Sequence, residues 1–265
     1  MSPVWLTDTV TPDLDRALHY THLWGLEGLV LRTLGRAGDR VPFVNEAKLR
    51  RRMAEHEMPV AAVVPGMFEG DVSDRIAWLN ELASFEETLA FCLRIDCPCV
   101  LVSAFRPGAP VEAVASALRR AGEAAARRGV VVGVCNEWDG AFPTARALGS
   151  VLEVVAHPAV GAAWSPADAR RAGEPATEGM EALQGRLTFV RCLDGRGEGE
   201  AWRPTALGEG EVGWGEVLRC LRADGYEGAL GLEVTTTPRP RAGLRDATAL
   251  LKTLRAAERA HMGGA

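Results

Sequence analysis

Eight times along this 265-residue chain a short apolar run gives way to a segment of helical length. The runs lie near residues 4–10, 27–33, 59–65, 99–103, 130–135, 160–165, 187–193 and 229–234. Most are apolar throughout rather than alternating, the pattern of strands buried on both faces of a parallel sheet. Residues 129–140, Gly-Val-Val-Val-Gly-Val-Cys-Asn-Glu-Trp-Asp-Gly, show it most clearly, because polar and aromatic groups crowd the carboxyl end of the strand. In an α/β barrel that end carries the chemistry.

Helices are expected near residues 12–24, 45–57, 73–95, 111–128, 143–156, 177–183, 214–224 and 242–259. Thr11 would cap the first, with Pro12 at its first position. The third would bury Ile76, Leu79, Leu82, Phe85, Leu89 and Leu93. Residues 196–213 are glycine-rich and read as an irregular loop. No segment has the character of a domain linker, so residues 1–265 are read as one α/β domain, a single (β/α)8 TIM barrel, close to the usual length of about 250 residues. A doubly wound sheet would want a G-x-G-x-x-G turn after an early strand, and none is present.

The formal net charge of −5 argues against a nucleic-acid surface. No run approaches the roughly 18 apolar residues of a membrane span, and no basic-then-apolar leader is seen, so the expected location is cytoplasmic. Cys92, Cys97, Cys99, Cys135, Cys192 and Cys220 form no C-x-x-C pair and read as small core residues in a reduced compartment. His19 and His22, on an outer helix, read as a satisfied or exposed pair.

Four fragments carry a resemblance. Gly28-Leu29-Val30-Leu31-Arg32 ends the second strand, and 208–214 reads Gly-Glu-Gly-Glu-Val-Gly-Trp before the seventh helix. Gly225-Tyr226-Glu227-Gly228 leads into Leu230-Gly231-Leu232-Glu233. In this order and spacing the chain resembles the xylose isomerase-like TIM barrels, specifically the sugar phosphate isomerase/epimerase family related to endonuclease IV.

The resemblance implies a divalent metal such as Mn, Mg or Zn held by strand-end side chains, with a carboxylate moving a proton on a sugar-like substrate. It places the strand-five ligand at Cys135, the strand-six ligand at Ser165, the strand-seven ligand at Arg191 and the strand-eight ligand at Glu233. Three of those four are not the family's residues. An arginine neither deprotonates nor tolerates a nearby divalent cation. A salt bridge from Arg191 to Glu233 in a site without that metal is therefore expected, and no cofactor is assigned.

Glu137 shares the inward parity of Cys135 and is the candidate acid/base, with Glu233 and Arg191 completing the catalytic set. Cys135 is a packed thiol or a nucleophile. Trp138 and Trp164 are candidate walls of a substrate pocket, and Arg32 and Asp194 candidate substrate contacts. Asp139, Asp168 and Asp194 could alternatively join Glu137 and Glu233 in a displaced oxygen-ligand site. Thr235-Thr236-Thr237-Pro238-Arg239 follows the last strand, where barrels often seat phosphate. Two functions stay open: proton transfer on a small sugar, sugar phosphate or other carbonyl compound, or a non-catalytic barrel that binds a ligand or partner. No nucleic-acid or membrane partner is expected, and a homodimer is the default assembly.

Overall fold

In the computed structural model, which describes residues 1–35 and 39–263, eight parallel strands close into a barrel. They are β1 (Ser2–Leu6), β2 (Leu29–Leu31), β3 (Val60–Val63), β4 (Cys99–Val102), β5 (Val131–Cys135), β6 (Val160–Trp164), β7 (Leu187–Cys192) and β10 (Ala229–Leu232). Neighbours follow chain order, and β10 closes the ring between β7 and β1. A small antiparallel hairpin, β8 (Asp194–Arg196) with β9 (Arg203–Thr205), stands after β7. Residues 196–213 are thus more ordered than their glycines suggest.

Among the described residues eight helices surround the barrel: α1 (Leu14–Trp24), α2 (Glu46–His56), α3 (Arg75–Arg94), α4 (Val111–Ala126), α5 (Ala145–Val155), α6 (Pro166–Arg171), α7 (Trp214–Ala223) and α8 (Arg239–Gly263). Helix α6, only six residues long, lies outside the expected helices. The expected helix at 177–183 is a single 3-10 turn, Met180–Leu183. Among the described residues no helix is long and apolar enough to cross a membrane.

Two local expectations change. Asp13, not Thr11, caps α1, accepting from the Arg16 N–H at 2.9 Å. Thr11 instead accepts from the Asp13 N–H and shapes the approach. On α3 the buried face is Trp78, Phe85, Leu89, Phe91 and Cys92, while Ile76, Leu79 and Leu93 are exposed. Apolar residues lie all around this helix, so spacing alone offers two stripes. The aromatic one wins because Trp78 and Phe85 pack edge-on and tilted against Phe68.

Strand parity divides the core. Inward side chains, among them Leu6, Val30, Leu101, Ala163 and Phe189, fill the lumen. Outward ones such as Trp5, Leu29 and Val190 meet the helices, and Trp5 donates to the Thr21 hydroxyl at 2.8 Å. A β-carbon on Gly231 would lie 2.4 Å from the Phe189 ring, so glycine there lets that ring cross the lumen. Phe189 thereby becomes the floor of what lies above it.

Candidate active site at the carboxyl ends of the strands

On five strands the residue two beyond an inward position presents its side chain to the barrel mouth. Val30 leads to Arg32, Leu101 to Ser103, Cys135 to Glu137, Phe189 to Arg191 and Gly231 to Glu233. These line a cavity of about 120 Å³ floored by Phe189 and Leu6, to which Arg40 and Glu69 are added from the loops after β2 and β3. Two of the expected carboxylates and the expected guanidinium are therefore brought together.

Arg191 sits at the centre. Its Nε donates to Glu233 Oε1 at 2.7 Å and a terminal nitrogen to Oε2 at 3.3 Å, a bidentate pair. The other terminal nitrogen reaches Asp168 Oδ2 and the Asn136 carbonyl, each at 3.4 Å. Register explains the pairing, because Arg191 lies opposite Gly231, two residues before Glu233. The expected salt bridge is present, with Asp168 as a second anion. Burial acts against the charge on Arg191, but the carboxylates outweigh it and raise its pKa further, so the cation is permanent.

Glu137 is half-buried and accepts from the Ser103 hydroxyl at 3.2 Å. Burial holds its carboxyl above the usual range, with the Arg191 charge and the Ser103 hydroxyl opposing in part. Asp168 is also raised by burial, against the pull of Arg191 and the Ser165 hydroxyl. The Cys135 thiol is pushed up to about 12, again by burial more than any charge. It stays protonated at neutral pH, which argues against a nucleophilic role.

Asn136 is fully buried and spans two strand ends. Its amide donates to the Ser165 carbonyl at 2.9 Å and the Pro143 carbonyl at 3.0 Å, and accepts from the Ser165 N–H at 2.6 Å. With all its groups satisfied it is a strut that fixes where Glu137 emerges. Arg32 lines the mouth and donates to Asp8 at 2.9 Å.

Three expected substrate contacts lie elsewhere. Trp164 does not line the cavity; it follows inward Ala163, is fully buried in the helix-facing layer, and its indole N–H finds no partner among the described residues. Trp138 is half-buried beneath Arg171, whose guanidinium carbon lies 3.7 Å from the ring centre. Asp194 is buried and accepts from the backbone N–H groups of Gly195, Gly208, Gly210 and Val212 at 2.8–3.3 Å. It ties down the loop before α7. A displaced oxygen-ligand site through Asp194 is thereby excluded, since its carboxylate is spent on those four donors. Arg239, after β10, donates to the Thr9 and Val234 carbonyls rather than facing a phosphate site. Ser103 could have been found by parity from Leu101, whereas Arg40 and Glu69 sit on loops that carry no periodic signal.

The divalent cation implied by the resemblance does not fit these residues. Of the four ligand positions, one is a protonated thiol and one is Ser165, whose hydroxyl accepts from the Asp168 N–H to cap α6. A third is the guanidinium of Arg191, which already holds the remaining carboxylate, Glu233. Among the described residues no three His, Cys, Asp or Glu side chains converge in a way that could hold a metal ion.

The family model described as a xylose isomerase-like TIM barrel matches residues 21–254. The chain belongs to that family. Its barrel superposes on L-ribulose 3-epimerase with a TM-score of 0.82 at 16% identity, covering 100% of this chain and 98% of that one. The probable 3-DHS dehydratase of Bacillus anthracis gives 0.80 at 11% identity over 95% and 99%. D-allulose 3-epimerase from Methylomonas sp., in complex with D-allulose, gives 0.74 at 14% over 97% of both chains. At such identities the likeness concerns the fold, which hosts both epimerases and a dehydratase. No curated protein matches the chain by sequence.

Proposed function

We propose that this family member is an isomerase- or epimerase-type enzyme that moves a proton on a small polyhydroxylated carbonyl compound, with Arg191 as the electrophile. In this reading Glu137 removes the proton from the carbon next to the carbonyl. The C–H electron pair moves onto the carbonyl oxygen, and the guanidinium of Arg191 stabilises the enediolate-like oxyanion. Return of that proton by Glu137 to the neighbouring carbon gives an isomer; an epimer requires a second acid on the opposite face that delivers a solvent-derived proton, while Glu137 later releases its own to water. Glu233 and Asp168 keep Arg191 in place.

The observation that carries the reading is a raised carboxyl and a fixed cation lining one cavity at the chemically competent end of the barrel. A base whose pKa lies nearer neutrality is better matched to abstracting a weakly acidic proton. The sugar-binding epimerases among the structural neighbours support the substrate class. A sugar phosphate is the finer form of it, with Arg32 and Arg40 at the mouth as partners for the phosphate.

The test is solvent exchange. The protein is incubated in D2O with a panel of ketoses, aldoses and their phosphates, and deuterium at the carbon next to the carbonyl is followed by NMR. Exchange with the parent and a roughly 10²–10⁴-fold loss in Glu137→Gln are expected. A second reading, a non-catalytic binding barrel, draws on the four hydrogen bonds that Arg191 already gives to Glu233, Asp168 and Asn136. Binding without exchange, unchanged in Glu137→Gln, would favour it and overturn the first.

A further inference from the structure

The seam between α1 and α2 is polar. Only Leu49 of α2 is buried, and Asp15 of α1 accepts from Lys48 at 3.1 Å and from Arg52 at 2.6 Å. One contact in this seam is of another kind. His22 Nε2 lies 3.2 Å from His56 Nδ1, with ring centres 5.4 Å apart. The sequence pairs His22 with His19 by spacing, but the fold gives it a partner 34 residues away.

We propose that His22 and His56 form a two-imidazole site for a divalent transition-metal ion that staples α1 to α2. Two nitrogens bound to one tetrahedral zinc at about 2.0–2.1 Å are about 3.3 Å apart, close to the observed separation. Imidazole suits zinc, nickel and copper, and the exposed position leaves the other coordination places to water.

The electrostatics favour a cation. Both histidines stand in the last turns of their helices, so two negative helix ends converge on the pair. The nearby cations are already engaged, Lys48 by Asp15, Arg52 by Asp15 and Glu55, and Arg51 by Glu55. Helix carboxyl ends lie at the face of the barrel opposite the cavity, where residues serve stability rather than chemistry. The metal is accordingly structural and does not report on the proposed reaction.

Chelator-treated full-length protein is titrated with ZnCl₂ by calorimetry and by thermal unfolding. One saturable equivalent and an upward Tm shift of about 3 °C at tenfold excess over Kd are expected. His22→Ala and His56→Ala should each lose that equivalent and the shift, and His19→Ala should keep both. His22→Gln, which preserves a polar side chain, must behave as His22→Ala. No saturable binding by the parent would overturn the proposal, leaving a hydrogen-bonded pair. Binding that survives in either alanine variant would also overturn it, because it would belong to thiols or other groups.

Discussion

Replacing Arg191 with methionine keeps the unbranched apolar stem as far as the Nε position and removes the guanidinium and its charge. Arg191 donates twice to Glu233, at 2.7 and 3.3 Å, and once to Asp168, at 3.4 Å. The three side chains are 17%, 15% and 14% exposed, so water screens the ion pairs only in part. Removing one partner of a buried pair costs about 3–5 kcal/mol, and the residual exposure argues for the lower end, about 3 kcal/mol. For a chain of this size that corresponds to a Tm lower by roughly 6–12 °C. The sign of the pH dependence follows. Without the guanidinium, Asp168 loses the charge that opposes the effect of burial, so its folded-state pKa, already raised, moves further above its unfolded value and widens the gap between those two values. The folded variant then binds more protons than its unfolded chain, so its stability falls as pH rises through those values. Urea unfolding followed by circular dichroism should show the deficit against the parent largest near pH 8 and smaller near pH 5. Adding Glu233→Gln should recover part of the loss. A deficit under 1 kcal/mol at pH 8, or one indifferent to pH, would refute the coupling.

Asp194→Ala should cost about 2–4 kcal/mol, since four backbone donors lose a charged acceptor, and should speed proteolytic cleavage within 196–213; wild-type cleavage rates would show that the loop holds itself. Native Cys135 should alkylate at pH 8 roughly a thousandfold more slowly than a free thiol, and far more slowly than half-buried Cys220, as read by peptide mass spectrometry. Gly231→Ala should lose about 1–3 kcal/mol in chemical denaturation, because its methyl group meets the Phe189 ring at 2.4 Å, and Phe189→Leu in the same chain should restore part of it.

The eight-unit barrel was legible because burial on both faces leaves strands uniformly apolar, a pattern few other folds demand. The Arg191–Glu233 bridge was legible for a related reason: both lie two residues beyond an inward lumen position, on adjacent strands. The same parity explains Trp164, which follows inward Ala163 by one residue and so turns away from the cavity although it ends a strand. Trp138 lies in the turn beyond β5 and Asp194 opens β8, where the parity of the barrel strands no longer sets direction. Asp194 was further disguised because its partners are backbone N–H groups fourteen or more residues on, which no side-chain pattern encodes. Arg40 and Glu69 reach the mouth from loops, where position depends on tertiary packing. The misjudged stripe on α3 is a case of choice between two apolar faces, settled by the volume of Trp78 and Phe85.

The substitution at the seventh strand also constrains the base, on the proposed reading. A divalent ion bound to a carbonyl and its neighbouring hydroxyl acidifies the substrate strongly, so a modest carboxylate suffices to take the proton. A guanidinium offers only a delocalised single charge and hydrogen bonds, and part of that charge is already spent on Glu233 and Asp168. Acidification of the substrate is then weaker, and the transfer needs a more basic partner. Glu137 is displaced in that direction, because its burial against the cavity wall raises its pKa while Ser103 holds one oxygen in place. On that reading, a thiol, a hydroxyl and a guanidinium at the positions where the resemblance implies metal ligands, and a desolvated carboxylate two residues beyond Cys135, are chemically consistent with each other. Exposing Glu137 to water should remove the advantage without touching Arg191, which makes the cavity wall as consequential for the reaction as the charges it encloses.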